Sequence, residues 1–245
     1  MSMDVSERLN DRFQQLRRTP ALLAPALSGV AAATACAQVL PVAGIGLALL
    51  QPPLRAPIGA SSSDAVNAER LQFTVGDGPC LLAHHTQRIV MATTEVMSRQ
   101  WPVMAAQLSD QTPYRAVLGA PLTGCLAGLG TMDVYFTDDN TMNQLDRDHL
   151  SAALDTVGTI LASALGDQPA NAPGDQPQTL AFLDVSANNA RHKVVVATGI
   201  LVAELTLPFH DALDTLRGYA FRTGRDIDSV SSDLVEQTLS GGDLI

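Results

Sequence analysis

The sequence predicts an α+β fold: an antiparallel sheet flanked by helices, followed by a C-terminal three-helix bundle. Three observations predict it. From Gly44 onward the apolar residues leave helical spacing for short strand-like runs broken by Gly and Pro. Between Gly166 and Gln178 the chain becomes rich in Pro, Gly, Asn and Gln, the composition of a linker. Beyond residue 188 the apolar stripes all have helical period.

At 245 residues the chain has room for one or two domains with real cores. With 46% hydrophobic and 16% charged residues it belongs with folded chains, not disordered ones. Pro41, Pro52 and Pro53 interrupt the most apolar region before it reaches membrane-spanning length. The basic N-terminal residues are mixed with Asp4, Glu7 and Asp11 and run on into a domain-like pattern, so the expectation is a cytoplasmic protein with no membrane partner. Cys36, Cys80 and Cys125 form neither a disulfide framework nor a metal motif.

In order, residues 1–20 read as an arm or capping helix. Leu9, Phe13 and Leu16 lie on one side, to meet either the next domain or a second copy. Residues 21–165 form the α+β unit. An alanine-rich helix spans Leu27 to Val39, and Ile45 to Leu50 is a strand whose hairpin partner returns over Leu54 to Ala60. Asp64 to Leu71 fits one or two helical turns. A glycine-rich turn from Thr74 to Cys80 then opens a short helix through His84. Arg88 to Ala92 reads as a strand, Glu95 to Leu108 as a helix and Tyr114 to Pro121 as a strand. Gly128 to Phe136 is a longer strand, with Leu129, Thr131, Asp133 and Tyr135 on one face and Gly130, Met132, Val134 and Phe136 on the other. A helix from Gln144 to Leu165 is striped by Leu150, Leu154, Val157 and Leu161.

Residues 166–187 read as the linker and the start of a connecting helix, and 188–245 as the bundle. Its first helix, about Ala187 to Ala203, carries Ala190, Val194, Ala197 and Leu201. The second runs from Pro208 to Thr223 with Gly224 as C-cap. The third starts at Asp226 or Asp228 and is expected to bury Ile227, Val230, Leu234, Val235 and Leu239. So small a bundle is expected to lean on a partner helix. Long stripes over 144–165 and 187–203 suit helix pairing and predict a homodimer.

No nucleophile, base and orienter set is legible, so the expectation is a binding protein and not an enzyme. His84 and His85 lack a third ligand, and no metal is expected. Gly76 and Gly78 lack the lysine of a phosphate loop and read as turn positions needing positive φ. Cys80 is a packed inert thiol, or one activated at a helix N-terminus. Trp101, Tyr114 and Tyr135 suit either a core or a pocket wall.

Net charge is −10 and Lys193 is the sole lysine. Residues 188–245 carry five basic against eight acidic side chains, so the stripe of a general nucleic-acid binder is missing. Arg191, Lys193, Arg217, Arg222 and Arg225 are the candidates for a local basic patch.

The runs Ala197-x-Gly199-Ile200-Leu201, Asp211-Ala212-Leu213-x-x-Leu216-Arg217-x-Tyr219 and Gly224-Arg225-x-Ile227-x-x-Val230-x-x-x-Leu234-Val235 resemble the ANTAR domain. That family is a three-helix RNA-binding module of bacterial transcription antitermination regulators. The Gly76–Cys80 turn with the Tyr114 and Gly128–Phe136 strands resembles the GAF domain, a small-molecule sensor fold, over Ala21 to Leu165. Together the two resemble actinobacterial GAF-ANTAR regulators. The resemblance implies a GAF-like sheet, an ANTAR-like bundle, and regulation through structured RNA. Arg217, Tyr219 and Arg225 match retained RNA-facing positions, and Arg191, Lys193 and Arg222 complete the candidate set. Cys80, Trp101, Tyr114 and Tyr135 are the candidate sensor pocket, for a small-molecule ligand the sequence does not specify; no cofactor is singled out. The chain departs from the family at Thr198, Glu204, Gly218 and Asp226, where basic residues are usual. Those departures keep a second reading open: a dimerisation or protein-interaction module that regulates through a partner.

Overall fold

Five strands form one antiparallel sheet in the order β2-β1-β5-β4-β3, with β1 Gly44–Gln51, β2 Leu54–Ala60, β3 Val90–Ala92, β4 Ala116–Pro121 and β5 Gly130–Phe136. The structure is a computed structural model that describes residues 4–24, 27–51, 54–166 and 185–245. The fold class is the predicted one. Strand β5 lies at the centre and all seven of its residues are buried, so both faces of the sheet are covered.

The two faces meet two helical layers. Met132, Val134 and Phe136 point into a core with α1 Val5–Arg17, α2 Ser28–Val39 and α8 Arg147–Gly166. Tyr135 points the other way, into a core with α3 Ser63–Val75, α5 Thr94–Gln100 and α6 Pro102–Gln111. The two-residue period of β5 thus sorts its apolar side chains between layers. Leu150, Leu154, Val157 and Leu161 of α8 are all buried in the first core. That stripe, expected to pair helices between copies, is filled within the chain.

Hairpin β1–β2 pairs Gln51 with Leu54, and the Pro52-Pro53 turn between them lies outside the described residues. The register shifts at Leu47/Ala48, leaving Ile58 as the extra residue of a bulge next to Pro57. Proline is tolerated there because β2 is an edge strand and the ladder is already interrupted. Helix α2 rides close over this bulge. A Cβ on Gly29 would collide with the Ile58 carbonyl, and one on Gly59 would collide with the backbone of Gly29 and Val30.

Two helices differ from the sequence expectation. The segment expected as one or two turns over Asp64 to Leu71 is the longer α3, capped by the Ser62 hydroxyl and ended by Gly76 at φ 76°. The single helix expected over Glu95 to Leu108 is broken at Trp101 into α5 and α6. Pro102 forces its predecessor out of the helical region, and Trp101 sits at φ −132°, ψ 59°. Helix α4, Pro79–Thr86, and the short α7, Asp139–Asn143, complete the body.

Of the segment expected as linker and start of the connecting helix, 166–187, residues 167–184 lie outside the described residues, Gly166 ends α8, and α9 begins at Val185. The tail comprises α9 Val185–Leu205, α10 Phe209–Thr223, α11 Ile227–Val235 and a 3-10 turn at Gly241–Leu244. Pro208 is the N-cap of α10 and not part of its first turn, Gly224 closes it at φ 66°, and Asp226 caps α11 by accepting from the Ser229 amide. Val194, Ala197, Leu201, Leu216, Ile227 and Val230 build the bundle core, and Phe73 of α3 is part of it. The partner helix on which the bundle leans is therefore α3. Among the described residues no single helix is long and apolar enough to cross a membrane.

The α2–β2 contact sets a contrast between two glycines. Gly59→Ala should lower stability in urea melts by about 1–3 kcal/mol, the usual range for forced overpacking. Gly199→Ala, in the interior of α9 with no atom near the added methyl, should raise it by about 0.5–1 kcal/mol.

Candidate functional site

The candidate site is a buried chain of charges that joins the sheet to the tail through α3. Glu69, Gln72 and Phe73 stand at i, i+3 and i+4, so α3 presents them on one face. All three are buried. Arg55 reaches that face from β2 and Asp133 from the central strand β5, both almost fully buried. From the tail come Arg191 of α9, 7% exposed, and Asp228 of α11.

The contacts run in one line. Arg55 pairs with Asp133 through Nη2 and with the Cys80 sulfur through Nη1, and its Nε lies 3.2 Å from Glu69 Oε1. The other Glu69 oxygen, Oε2, accepts from Arg191 Nη2 at 2.7 Å. Arg191 Nη1 donates to Asp228 Oδ1 at 2.9 Å. The charges therefore alternate: Asp133, Arg55, Glu69, Arg191, Asp228. Gln72 Nε2 donates to Asp133 at 3.1 Å, and the Arg191 guanidinium lies 3.7 Å over the Phe73 ring.

Burial and neighbours set the protonation states. Burial alone lowers the Arg55 pKa, but Cys80, Asp133 and Glu69 around it raise it well above the ordinary arginine value, so it stays charged. Burial pushes the Cys80 thiol up, Arg55 opposing, so the sulfur is a protonated thiol and not an activated nucleophile. Burial also raises Asp228 above its ordinary 3.8, with Arg191 pulling the other way. Desolvating five charges is costly: the Arg55–Glu69 contact is an ion pair without a hydrogen bond, and Arg191 Nε, Asp133 Oδ1 and Gln72 Oε1 also have no hydrogen-bond partner. Such a chain fixes a geometry more than it adds stability.

The structure separates the six RNA candidates. Arg191 is turned inward, held by Glu69 and Asp228, because a guanidinium at that depth needs counter-charges. Arg217 lies along α3: its Nε donates to the Phe73 carbonyl at 3.3 Å and its Nη1 to Asp214 at 3.2 Å. Burial lowers its pKa, Asp214 opposing. Lys193 pairs with Glu236 at 2.8 Å and Arg225 with Asp233 at 2.6 Å. Arg222 is exposed, 5.3 Å over the half-buried Tyr219 ring, and donates to the Leu244 carbonyl. The six form no common surface.

The four candidate pocket residues are core. Tyr114 and Tyr135 are buried and stacked, with ring centroids 4.8 Å apart. Trp101 packs in the same cluster and its indole nitrogen donates to Asp77 at 3.1 Å. Cys80 is sealed beneath Arg55. Sequence reasoning missed Arg55, Glu69, Gln72, Phe73 and Asp228. One signal was present: Arg55 and Asp133 are opposite charges inside two otherwise apolar strands. Among the described residues no three His, Cys, Asp or Glu side chains gather to hold a metal ion.

No family model matches the chain, and no curated protein matches it. Among solved structures, the GAF domain from Acinetobacter phosphoenolpyruvate-protein phosphotransferase is similar with a TM-score of 0.44 and 14% identity, covering 70% of this chain and 100% of that one.

Two substitutions probe the network. Glu69→Gln leaves Arg55 and Arg191 each short of a counter-charge and should cost about 3–5 kcal/mol in urea unfolding. Removing the exposed pair Glu95–Arg99 should cost no more than about 1 kcal/mol. For Asp228 the raised folded pKa means the native state holds its proton more tightly than the unfolded chain. Its contribution is full below 3.8 and falls away as pH rises through the raised value. The stability of Asp228→Asn relative to the parent should therefore improve as pH rises from about 3.8 toward neutrality. Chemical melts across that range check the sign.

Proposed function

We propose that the chain is a signal-responsive regulator: a GAF-type sensor body that holds an ANTAR-type, RNA-binding tail closed. The observation that carries this reading is the fate of Arg191 and Arg217. Both are tail arginines suited to fork-like phosphate contacts, and both face α3 of the body. Docking therefore removes from solution two of the groups an RNA would use. Release of α9 and α10 from α3 returns them to the tail surface.

The reading rests on two further supports. The tail's helices follow the three-part pattern described above: of its expected packing positions Ala197, Ala212, Leu216, Val230 and Leu234 are buried, whereas Gly199 is exposed. The contact to the body is polar at its centre, through Glu69, and such contacts separate in water more readily than an apolar seam. A second reading, a protein-interaction tail, is favoured by the pairing of Lys193 and Arg225 with the tail's own acids.

The test compares the parent with Glu69→Gln and with the double variant Glu69→Gln, Arg191→Gln, which removes both partners of that pair and leaves Asp228 without its arginine. Cellular RNA is crosslinked to the protein and sequenced, and the recovered structured RNA is titrated by fluorescence anisotropy. Glu69→Gln should bind more tightly than the parent. Its affinity should also fall more steeply with salt, by about 0.7–0.9 in log–log slope for each additional phosphate neutralised. The double variant, confirmed folded by circular dichroism, should open equally but neutralise one phosphate fewer. If none of the three binds RNA even at low salt, where phosphate attraction is strongest, the tail works through a protein partner.

A further inference from the structure

Body and tail also enclose a cleft of about 360 Å³ between α3, α6 and the α10–α11 corner, within the size range of small-molecule sites. Asn67 and Arg70 line it from α3, Gln107 and Gln111 from α6, and Phe221 and Arg225 from the tail. We propose that this cleft binds a small aromatic carboxylate.

The charges decide the sign of the ligand. Arg225 is neutralised by Asp233 at 2.6 Å. The Asp226 carboxylate at the rim is committed to capping α11, accepting from the amide and the hydroxyl of Ser229, each at 2.8 Å. Arg70 is exposed, and among the described residues no carboxylate lies within 4.0 Å of it and its side chain makes no hydrogen bond. Arg70 is therefore the one guanidinium of the cleft outside an ion pair, and because Asp226 keeps its negative charge at the rim, a carboxylate is received on the Arg70 side.

The apolar wall decides the rest. Phe221 is 53% exposed at the mouth, and a planar ligand stacked on it covers apolar surface that now meets water. Gln111 Nε2 donates to Gln107 Oε1 at 2.5 Å, which leaves the Gln107 amino group and the Gln111 carbonyl, with the Asn67 amide, to meet polar substituents of a bound ring. Because both units supply the walls, a ligand held there favours the docked tail by mass action. That last consequence rests on the regulatory reading above, whereas the binding site does not.

The experiment titrates the full chain with 2-naphthoate, followed by calorimetry and by the anisotropy of the naphthoate fluorescence. 2-Naphthamide serves as the neutral analogue and cyclohexanecarboxylate as the non-aromatic one. Naphthoate should bind with a dissociation constant of about 1 mM or tighter, the scale expected for a ligand of this size. Both analogues should bind about tenfold more weakly. Arg70→Gln and Phe221→Ala, at exposed positions where folding is not at risk, should each weaken naphthoate about tenfold, and Arg88→Gln, outside the cleft, should leave it unchanged. Equal affinity for acid and amide, indifference to Arg70→Gln, or no binding of naphthoate at about 10 mM overturns the proposal. Naphthoate binding without RNA binding by any variant leaves the cleft standing and removes only the RNA output.

Discussion

Glu69 is the side chain on which the arrangement of this molecule turns. Its two oxygens face opposite ways, one toward Arg55 of the sheet and one toward Arg191 of the tail. A carboxylate at that depth is tolerable only with a cation on each side. Helix α3 is therefore fixed on the sheet by the same group that fixes the tail on α3. Phe73, one turn further along, supplies the apolar half of the joint and a face for the Arg191 guanidinium. Polar and apolar parts of the contact share one face of one helix, so the tail has a single register on the body.

Arginine suits this role for a geometric reason. Arg55 makes three contacts in three directions, with Asp133, Glu69 and Cys80, and Arg191 spans Glu69 and Asp228 while lying flat on a ring. An ammonium presents a compact, strongly hydrated point charge and cannot be shared so widely at this depth. The chain holds a single lysine, and it lies on the partly exposed face of the tail, paired with Glu236. A net charge of −10 also means that most tail arginines find an acid close by. The surface expected from the sequence as a basic patch is thereby divided among separate ion pairs.

Much of the fold was legible because its causes are local. The two-residue period of Gly130–Phe136, the hairpin around Pro52-Pro53, the Gly224 cap and the stripes of the tail all act within a few residues. The departures are local too. Pro102 breaks the helix expected through Trp101, and α3 runs past Leu71 because Gly76 is the residue that can end it in the left-handed region. The site was largely illegible for the opposite reason. Glu69 and Arg191 are 122 positions apart, and Arg55 and Asp133 are 78 apart. No periodicity encodes such pairings. The aromatic residues offered as a pocket are the largest side chains of a chain with few of them, and the second layer needs their volume for its core.

The energetics of the joint suit an interface that opens. Burying one phenylalanine is worth about 1.5–3 kcal/mol, so Phe73 alone favours docking by an amount within reach of a ligand. The ion chain adds specificity at little net gain, since its desolvation cost is of the same order as its Coulombic attraction. A wholly apolar seam of the same area would hold the tail far more tightly. Moving an equilibrium from 1:99 to 99:1 takes about 5.5 kcal/mol of differential binding, which leaves room for such a shift only if the closed state is not over-stabilised. The route inward is also short. Arg55 touches Cys80 at the start of α4 and Asp133 on β5, next to the stacked Tyr135. Three contacts, Asp133 to Arg55, Arg55 to Glu69 and Glu69 to Arg191, thus connect the middle of the sheet to the tail.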